Sequence, residues 1–397
     1  MRSFATALTL LACAGLARAQ SEAPQTYDWV LHYYMAYDNN LERCGPPIVD
    51  MLAKGITSEK LAIVVSADYA DTKGMRRYLL TKGERKVLEL EEEGSAEEET
   101  LAAELDWVRQ SYPAKKYAVV FLNHGGGLGQ MSLDERPGKQ GGQTWLYPPE
   151  VARVVTAWRE QVKAAEGEVE LVFYQQCGKG SLENYHCMRT AARYVMGSQT
   201  VVGAPNYYYS AAIEHLCEHP EADGLELAKQ ITQHETANMF TTYTTLDSAQ
   251  LDELPAQLDA VLAPLLALEA LKLPRLGSKE LPPCFDFGKR ELFFDGMALF
   301  RALYAANELD PAPLAALEDY HRRLIPSHRV SPQQQTRAGT WCGYSVFFPL
   351  HPRVLEQYED YPIYADTQLD EFFAEVFRQA AARRAARETE EGKGAPR

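Results

Sequence analysis

Two patterns of hydrophobic and polar residues are found along the first half of the chain. Near-continuous hydrophobic runs predict strands buried on both faces of a sheet, and they lie at residues 29–36, 61–68, 76–82, 117–123 and 169–176. Elsewhere in this half, hydrophobic residues recur every three or four positions, which predicts amphipathic helices at residues 41–53, 100–111, 149–164 and 182–192. Alternating strands and helices with short connections favour an α/β fold, a three-layer sandwich with a mostly parallel sheet.

The pattern changes after about residue 240. Residues 245–272 are rich in leucine and alanine at helical spacing, and residues 274–283 contain the prolines expected of a linker. A strand near 344–348 and a helix at 369–386 then complete a smaller C-terminal α+β extension. We therefore divide the chain into four parts: a leader at 1–19, an α/β domain at 20–240, a C-terminal subdomain at 241–375, and a helix end and tail at 376–397.

The leader has the pattern of a secretory signal peptide. Arg2 precedes a hydrophobic stretch at 4–16, and Ala17-Arg18-Ala19 is a small-residue cleavage site. Neither this stretch nor any later one is long enough to span a bilayer. We expect cleavage after Ala19 and a secreted or periplasmic protein without a membrane span. A lipoprotein attached through Cys13 is the weaker alternative, because its leader would be unusually short.

The composition and charge of the chain limit which fold classes and binding partners are plausible. Hydrophobic residues make up 46% of the 397 positions, enough for a sizeable core and against general disorder. The net charge of −15, with no basic stripe to offset it, argues against nucleic acid as a partner. Six cysteines follow the leader. In an oxidising compartment an even number predicts three disulfides, unless one cysteine is a nucleophile. The sequence gives no indication of the oligomeric state.

Two reactive residues follow predicted strands. His124 and three glycines end one strand, and Cys177 ends another, where open α/β sheets place their ligands. Taken alone, each residue also fits a purely structural role. The histidine could be a packing residue, and the cysteine could be a small hydrophobic residue or half of a disulfide. Together they predict a cysteine nucleophile with His124 as general base and acid, and an oxyanion hole from the Gly125 and Cys177 amides. A helix beginning near Ser181 is expected to stabilise the thiolate.

The spacing of the pair supports this interpretation, and three rivals fit less well. Cys177 lies 53 residues after His124, as in the caspase-type arrangement. The His-Gly-Gly-Gly stretch also occurs in esterases, but the G-x-S-x-G nucleophile motif is absent. The stretch Gly178-Lys179-Gly180-Ser181 does not complete a phosphate-binding loop. His215, Cys217 and His219 lack the partner cluster that a zinc site needs.

The chain also resembles the clostripain-like cysteine peptidases, relatives of caspases, gingipains and legumains. The resembling segments occur in family order at residues 29–42, 112–129, 177–183, 196–199, 243–254 and 343–349. The resemblance implies a caspase-hemoglobinase sandwich with a C-terminal addition, a His124–Cys177 dyad, and a peptide or protein substrate. It also implies that the segment beginning at Ser198 and Gln199 faces the substrate. Calcium assists some family members, but no other cofactor and no specific metal ligand is predicted here.

Departures from the family affect specificity and processing. Family members usually carry aspartate at the position of Gln175, where it meets an Arg or Lys at P1, the substrate residue before the cleaved bond. Gln175 therefore becomes the predicted floor of the P1 pocket, with P1 preference open between a neutral residue and, as in caspases, an aspartate. Lys179 is expected to be solvated rather than turned toward the sulfur. Residues 131–144 are either an ordinary flexible loop or a site of maturation cleavage.

The sequence therefore predicts a secreted cysteine endopeptidase. The alternative is a secreted binding protein that kept the fold and lost catalysis, which the change at Gln175 favours and the presence of both His124 and Cys177 disfavours.

Overall fold

A computed structural model describes residues 25–70, 74–90, 94–137, 142–288, 291–333 and 341–393, the last without the side chains of 386–393. The predicted signal peptide lies outside the described residues. The strands are β1 (Tyr27–Tyr37), β2 (Leu61–Tyr69), β3 (Arg76–Thr81), β4 (Glu84–Glu89), β5 (Ala114–Leu122), β6 (Met131–Asp134), β7 (Thr144–Leu146), β8 (Glu168–Gln175), β9 (Tyr194–Gly197), β10 (Thr242–Asp247), β11 (Phe285–Phe287), β12 (Glu291–Asp295), β13 (Ser327–Val330) and β14 (Ser345–Pro349). The helices are α1 (Gly45–Gly55), α2 (Glu98–Ser111), α3 (Pro148–Ala164), α4 (Leu182–Cys187), α5 (Tyr209–Glu218), α6 (Gly224–His234), α7 (Ser248–Leu251), α8 (Leu254–Leu266), α9 (Gly296–Asn307), α10 (Ala312–Leu324), α11 (Pro352–Leu355), α12 (Pro362–Asp366) and α13 (Leu369–Lys393).

The main sheet follows the order β13-β10-β9-β8-β5-β1-β2-β3-β4 in the described residues. Its centre, from β9 to β2, is parallel, and the strands outside this centre on both sides are antiparallel. The predicted α/β architecture with a mostly parallel sheet is therefore confirmed. The hydrophobic runs did not reveal β4, whose residues are all exposed, because its sequence, ERKVLE, has no hydrophobic face to bury.

Helices cover both faces of this sheet because the central strands are hydrophobic on both sides. Successive residues of β1 enter opposite cores: Trp29 and Leu31 pack with α1, α5 and α6, whereas Val30 and Tyr34 pack with α2, α3 and α4. Trp29 and Val30 are both fully buried. The result is the predicted three-layer sandwich.

The C-terminal residues are continuous with this sandwich. Strands β11, β12 and β14 form a small antiparallel sheet, and its Phe293 and Phe347 belong to the same hydrophobic core as Val30. Both β10 and β13 follow residue 240, yet they complete one edge of the main sheet. The predicted domain boundary at 240 therefore cuts through that sheet. A change in composition could not reveal this, because it does not show that β10 pairs with β9 and that β13 pairs with β10.

Two further expectations can be compared with the described residues. None of the described helices is both long and hydrophobic enough to cross a membrane. The six cysteines after the leader, all of them described, are free thiols, so the three disulfides suggested by the even count do not form here. They are Cys44, Cys177, Cys187, Cys217, Cys284 and Cys342.

Candidate active site

Strand pairing brings the two predicted catalytic residues together. The last paired residues of the neighbouring parallel strands β5 and β8 are Leu122 and Gln175, which lie opposite each other. His124 and Cys177 each follow two residues later, so both leave the same edge of the sheet. Gly125 passes so close to the Cys177 backbone that a Cβ at position 125 would collide with the Cys177 carbonyl oxygen. The loop after β5 therefore lies directly against the loop after β8.

The ring of His124 is oriented by Asn40. His124 Nε2 lies 2.7 Å from Asn40 Oδ1. An amide oxygen accepts hydrogen bonds but cannot donate them, so in this arrangement Nε2 carries the proton and Nδ1 of the neutral ring is left as the acceptor. Burial lowers the pKa of His124, and the opposing effect of Glu135 is smaller. Burial therefore favours the neutral form of the imidazole.

Cys177 is partly covered by the segment that contains Val202. The amide nitrogen of Val202 lies 3.3 Å from Cys177 Sγ, a contact that favours the thiolate. Burial nevertheless raises the pKa of Cys177, and the Val202 amide and the charge of Lys179 only partly offset this effect. Helix α4 begins where expected, with Ser181 as its N-cap and Leu182 as its first residue, but burial of the sulfur outweighs the contacts that favour the thiolate, so the expected lowering of the Cys177 pKa is not found.

The amide of Gly125 was predicted to belong to an oxyanion hole. Gly125 bridges Met131, but the hydrogen bonds of this bridge are made by the Gly126 amide and the His124 carbonyl, to Gln130 and Ser132 respectively. The Gly125 N–H takes no part in those two bonds. Gly125 lies against the Cys177 backbone. The role of the Gly125 and Cys177 amides stays a prediction.

The side chain of Gln175 is buried in a polar cluster. Its Nε2 donates to Asn206 Oδ1 and to the Tyr209 hydroxyl, and its Oε1 accepts from the Tyr208 hydroxyl at 2.6 Å. Asn206 in turn donates to the Tyr243 hydroxyl. Only 5% of Gln175 is exposed. Both N–H donors of the amide are therefore occupied before any substrate arrives.

Ser198 and Gln199 are fully buried and have internal partners. Gln199 Nε2 donates to Asp295 Oδ2 and to the carbonyl of Tyr344, so its side chain links the main sheet to the C-terminal part. Ser198 Oγ is hydrogen-bonded to Thr242, while the Ser198 carbonyl accepts the Gly180 amide. Contact of these two side chains with substrate stays a prediction. Their observed role is to hold the segment that covers Cys177.

Lys179 is fully buried rather than solvated. Its ammonium donates to the carbonyl oxygens of Gly127, at 2.5 Å, and Leu128, at 3.2 Å. Burial lowers the pKa of Lys179 to about 7, against the opposing charges of Glu291 and Cys177. The expectation of an exposed lysine was wrong because its partners are backbone oxygens about 50 residues away, which the local sequence does not reveal.

Comparison with known proteins supplies the family. The model of the Clostripain family (peptidase C11) matches residues 33–279, more than half of the chain. The chain belongs to the clostripain family. It is a cysteine-type peptidase by that membership, as the sequence predicted. No match was found among the curated proteins.

Solved structures of C11 proteases share the fold. An inactive zymogen from Parabacteroides distasonis is 17% identical and aligns over 87% of this chain and 99% of its own, with a TM-score of 0.63. A secreted protease from Bacteroides thetaiotaomicron, iotapain, is 16% identical over 87% of this chain and 100% of its own, with a TM-score of 0.65. A secreted protease from B. thetaiotaomicron in complex with an irreversible peptide inhibitor is 14% identical over 86% of this chain and 99% of its own, with a TM-score of 0.61. The predicted caspase-like fold is thereby confirmed.

Near the site of this clostripain-family chain, three carboxylates form a buried cluster. Asp38, Asp68 and Asp134 each offer an oxygen, and these oxygens all lie within 4.8 Å of one another. Arg136 forms an ion pair with Asp38, and burial raises the pKa of Asp134. The donor set is of the kind that calcium prefers. Of the loop discussed for maturation, residues 138–141 lie outside the described residues.

Three residues of the site were missed in the sequence. Asn40 follows the end of β1 and lies within the segment 29–42 that resembles the family, and this position was the available signal. Asn39 itself orders the loops by donating to Asn123 and to the Leu133 carbonyl. The other two are Val202, which contacts the sulfur, and Glu235, which lies beside the Gln175 cluster. Val202 belongs to the segment beginning at Ser198 that the resemblance places toward the substrate, whereas Glu235 has no local sequence signal.

Glu235 is an acid near the predicted P1 pocket. Its Oε1 accepts the Tyr207 amide, its carboxylate is hydrogen-bonded to Asn206, and its Oε2 is buried without a hydrogen-bond partner in the described structure. Burial raises the pKa of Glu235 to about 6. Asn206 therefore stands between this carboxyl group and Gln175.

Proposed function

We propose that this clostripain-family peptidase is a secreted endopeptidase that cleaves peptide bonds with Cys177 as nucleophile and His124 as general base and acid. The observation that carries the assignment is the close approach of Gly125 to the Cys177 backbone, which joins the two strand ends. The Asn40 contact supports it, because a histidine that acts as a base needs a fixed ring and a free nitrogen. The secretory pattern of residues 1–19 supports export.

The reaction starts from a neutral pair. Burial lowers the pKa of His124 and raises that of Cys177, and both shifts disfavour a resting imidazolium–thiolate pair. As Sγ bonds to the substrate carbonyl carbon, the thiol proton moves to His124 Nδ1. The Gly125 and Cys177 amides would then stabilise the oxyanion. Asn40 accepts Nε2–H throughout, so the imidazolium formed in this step is stabilised where it arises.

Collapse of the tetrahedral intermediate breaks the peptide C–N bond. His124 returns the proton to the leaving nitrogen, which departs as an amine and leaves an acyl group on Cys177. Water then attacks the thioester carbon while His124 removes one of its protons. The C–S bond breaks, the proton passes to sulfur, and the carboxylic acid product leaves the neutral pair as it began.

For P1 we propose an uncharged side chain. The site holds glutamine where the family usually has aspartate, so a basic P1 residue loses its charged partner at that position. An acidic P1 residue would need donors, and both N–H groups of Gln175 are already occupied by Asn206 and Tyr209. The one observation that favours a basic P1 instead is the buried, unpartnered Oε2 of Glu235.

For calcium, which the family resemblance suggests, the residues that fit are Asp38, Asp68 and Asp134. Arg136 provides one positive charge to the cluster, so a cation would relieve the remaining repulsion. Bound calcium would order the ends of β1, β2 and β6 and take no part in proton transfer. We expect calcium to raise the thermal unfolding midpoint of the wild type relative to chelator, and Asp134→Asn to reduce that rise. Equal midpoints in the wild type would contradict calcium binding.

The function is tested with a fluorogenic peptide library varied at P1, using the mature protein with and without calcium beside Cys177→Ala. We expect cleavage that depends on Cys177 and is strongest after uncharged residues. Cleavage after Arg or Lys that is lost in Glu235→Gln would assign the P1 pocket to Glu235. If no peptide is cleaved under any condition, an unprocessed zymogen or the inactive binding protein becomes the better interpretation.

A further inference from the structure

Lys179 is hydrogen-bonded to the loop that follows His124. Its side chain is fully buried, and its ammonium donates to two consecutive carbonyl oxygens, those of Gly127 and Leu128. A buried lysine is costly unless its N–H groups are satisfied, and here backbone oxygens satisfy them. Because Lys179 lies two residues after Cys177, this contact ties the nucleophile loop to the His124 loop.

Glu291, from β12 of the C-terminal part, is hydrogen-bonded to the same loop. Its Oε2 accepts the Leu128 amide at 2.6 Å, and its Oε1 accepts the Tyr358 hydroxyl at 2.7 Å. The peptide unit between Gly127 and Leu128 is therefore bound at both ends, its carbonyl by an ammonium and its amide by a carboxylate. The two charged groups also attract each other.

Glycine at 127 follows from this arrangement. A Cβ on Gly127 would collide with the carboxylate of Glu291, just as a Cβ on Gly125 would collide with the Cys177 carbonyl. A Cβ on the remaining glycine of the three, Gly126, would collide with the side chain of Gln130, so each of the three glycines after His124 passes close to another group. An esterase-like oxyanion loop shares the glycines but needs no such pair of charges.

We propose that Lys179 and Glu291 are positioning residues, which clamp the Gly127–Leu128 peptide and so fix the Gly125 amide and His124 relative to Cys177. This inference rests on the proposed peptidase function. Neither side chain contacts the reacting atoms, and each acts through the backbone of the loop. The clamp also makes the geometry of the site depend on the C-terminal part, which supplies Glu291 and Tyr358.

The test compares Lys179→Met and Glu291→Gln with the wild type in the full mature chain. A matched control is Lys116→Met, since the ammonium of Lys116 also donates to backbone carbonyls, those of Pro220, Glu221 and Ala222, but lies near the amino end of β5, opposite to the active site. The measurements are kcat and KM on a cleaved peptide, the rate of Cys177 alkylation by iodoacetamide, and amide hydrogen exchange of the loop at 124–130.

For Lys179→Met we expect kcat to fall about tenfold or more with KM nearly unchanged, since a small displacement of catalytic groups costs up to about 100-fold. Exchange at 124–130 should rise, and alkylation of Cys177 should change less than kcat. Glu291→Gln should change kcat and exchange in the same direction, by less, because glutamine keeps an acceptor. Lys116→Met should leave all three measurements unchanged.

Unchanged kcat and unchanged exchange in folded Lys179→Met would overturn the proposal. An equal fall of kcat and alkylation rate, without increased exchange, would also overturn it, because the lysine would then act on the sulfur. If the wild type itself cleaves nothing, the exchange measurement still decides the clamp: faster exchange in Lys179→Met supports it although the peptidase function has failed, and unchanged exchange refutes it.

Discussion

His124 and Gln175 leave the same edge of the sheet, next to Cys177, but their side chains have different environments. The His124 ring is partly exposed and, among the described residues, is hydrogen-bonded through Nε2 only, which leaves its second nitrogen for chemistry. The Gln175 amide is buried, and Asn206, Tyr208 and Tyr209 occupy its donors and acceptor. On one side of the nucleophile a reactive group is held accessible, and on the other the expected specificity group is already satisfied.

This difference separates catalysis from substrate choice. A base needs a partner that orients it without consuming its reactive nitrogen, which Asn40 provides. A group that reads a charged P1 residue needs a free donor or a charge, and Gln175 has neither. Our proposal therefore retains the clostripain-family reaction and assigns this chain a different P1 preference. The following predictions test the two sides of this comparison.

Removal of the catalytic pair should have the largest effect. Cys177→Ala removes the nucleophile and His124→Ala the base, and each should lower kcat by about 10⁴-fold or more. The double variant should be hardly worse than either single variant, because the two residues act as a unit. Turnover of the best library peptide measures this. Cys217→Ala, which removes another partly exposed thiol, is the control and should retain full activity.

Loss of the orienting partner should have the next largest effect. Asn40→Ala leaves Nε2 without its acceptor, and we expect kcat to fall roughly 10- to 100-fold, part of the 10²–10⁴-fold that positioned proton transfer contributes. Asn40→Asp keeps an acceptor and should recover most of kcat. Its carboxylate should also raise the pKa of His124 and move the acid limb of the pH profile upward. Wild-type kcat in Asn40→Ala would exclude Asn40 as the orienting residue.

A charge at position 175 should change specificity rather than turnover. Gln175→Asp restores the residue usual in the family, and we expect the ratio of kcat/KM for Lys or Arg to that for Leu at P1 to rise about tenfold or more, since a charge-assisted hydrogen bond is worth about 1.5–3 kcal/mol. Gln175→Asn, equally short but uncharged, is the matched control and should leave the ratio unchanged. If both variants give the same ratio, P1 is selected elsewhere, and Glu235→Gln becomes the decisive variant.

The catalytic side of the comparison was largely predictable from sequence. Strand ends can be identified from hydrophobic runs, and parallel neighbours in a sheet bring their carboxyl ends together, so His124 and Cys177 were placed at one edge. Strands β1, β2, β5 and β8 and the helices α1 to α3 were expected nearly at their observed positions, because long periodic segments bury one face or both. The helix α4 begins as expected but is shorter than predicted, and the short strand β9 was not predicted. Position 175 was identified through the family resemblance, which implies that the residue there meets the P1 side chain.

The remaining features depend on contacts between distant segments. The local sequence predicts that Lys179 is a solvated loop residue, because it does not show that the carbonyl oxygens of Gly127 and Leu128 accept hydrogen bonds from its ammonium. The pKa of Cys177 was expected to fall because of a nearby helix, but it is raised by burial under the segment containing Val202, an effect of tertiary packing. The strands β10 and β13 were missed as parts of the main sheet, since edge pairing leaves little pattern in a short strand.

The pH dependence tests the neutral pair, with the smallest expected effect. A histidine base is active when unprotonated, and burial lowers the pKa of His124, so the acid limb of kcat/KM should lie below the ordinary value of 6.5. Cys177 has a pKa above the ordinary 9.0, so its alkylation by iodoacetamide should keep accelerating beyond that pH. A preformed imidazolium–thiolate pair would instead give rapid alkylation that is independent of pH around neutrality. Both profiles, measured from roughly pH 5 to 10.5, with Asn40→Asp as the variant that should shift the acid limb upward, decide between the two resting states.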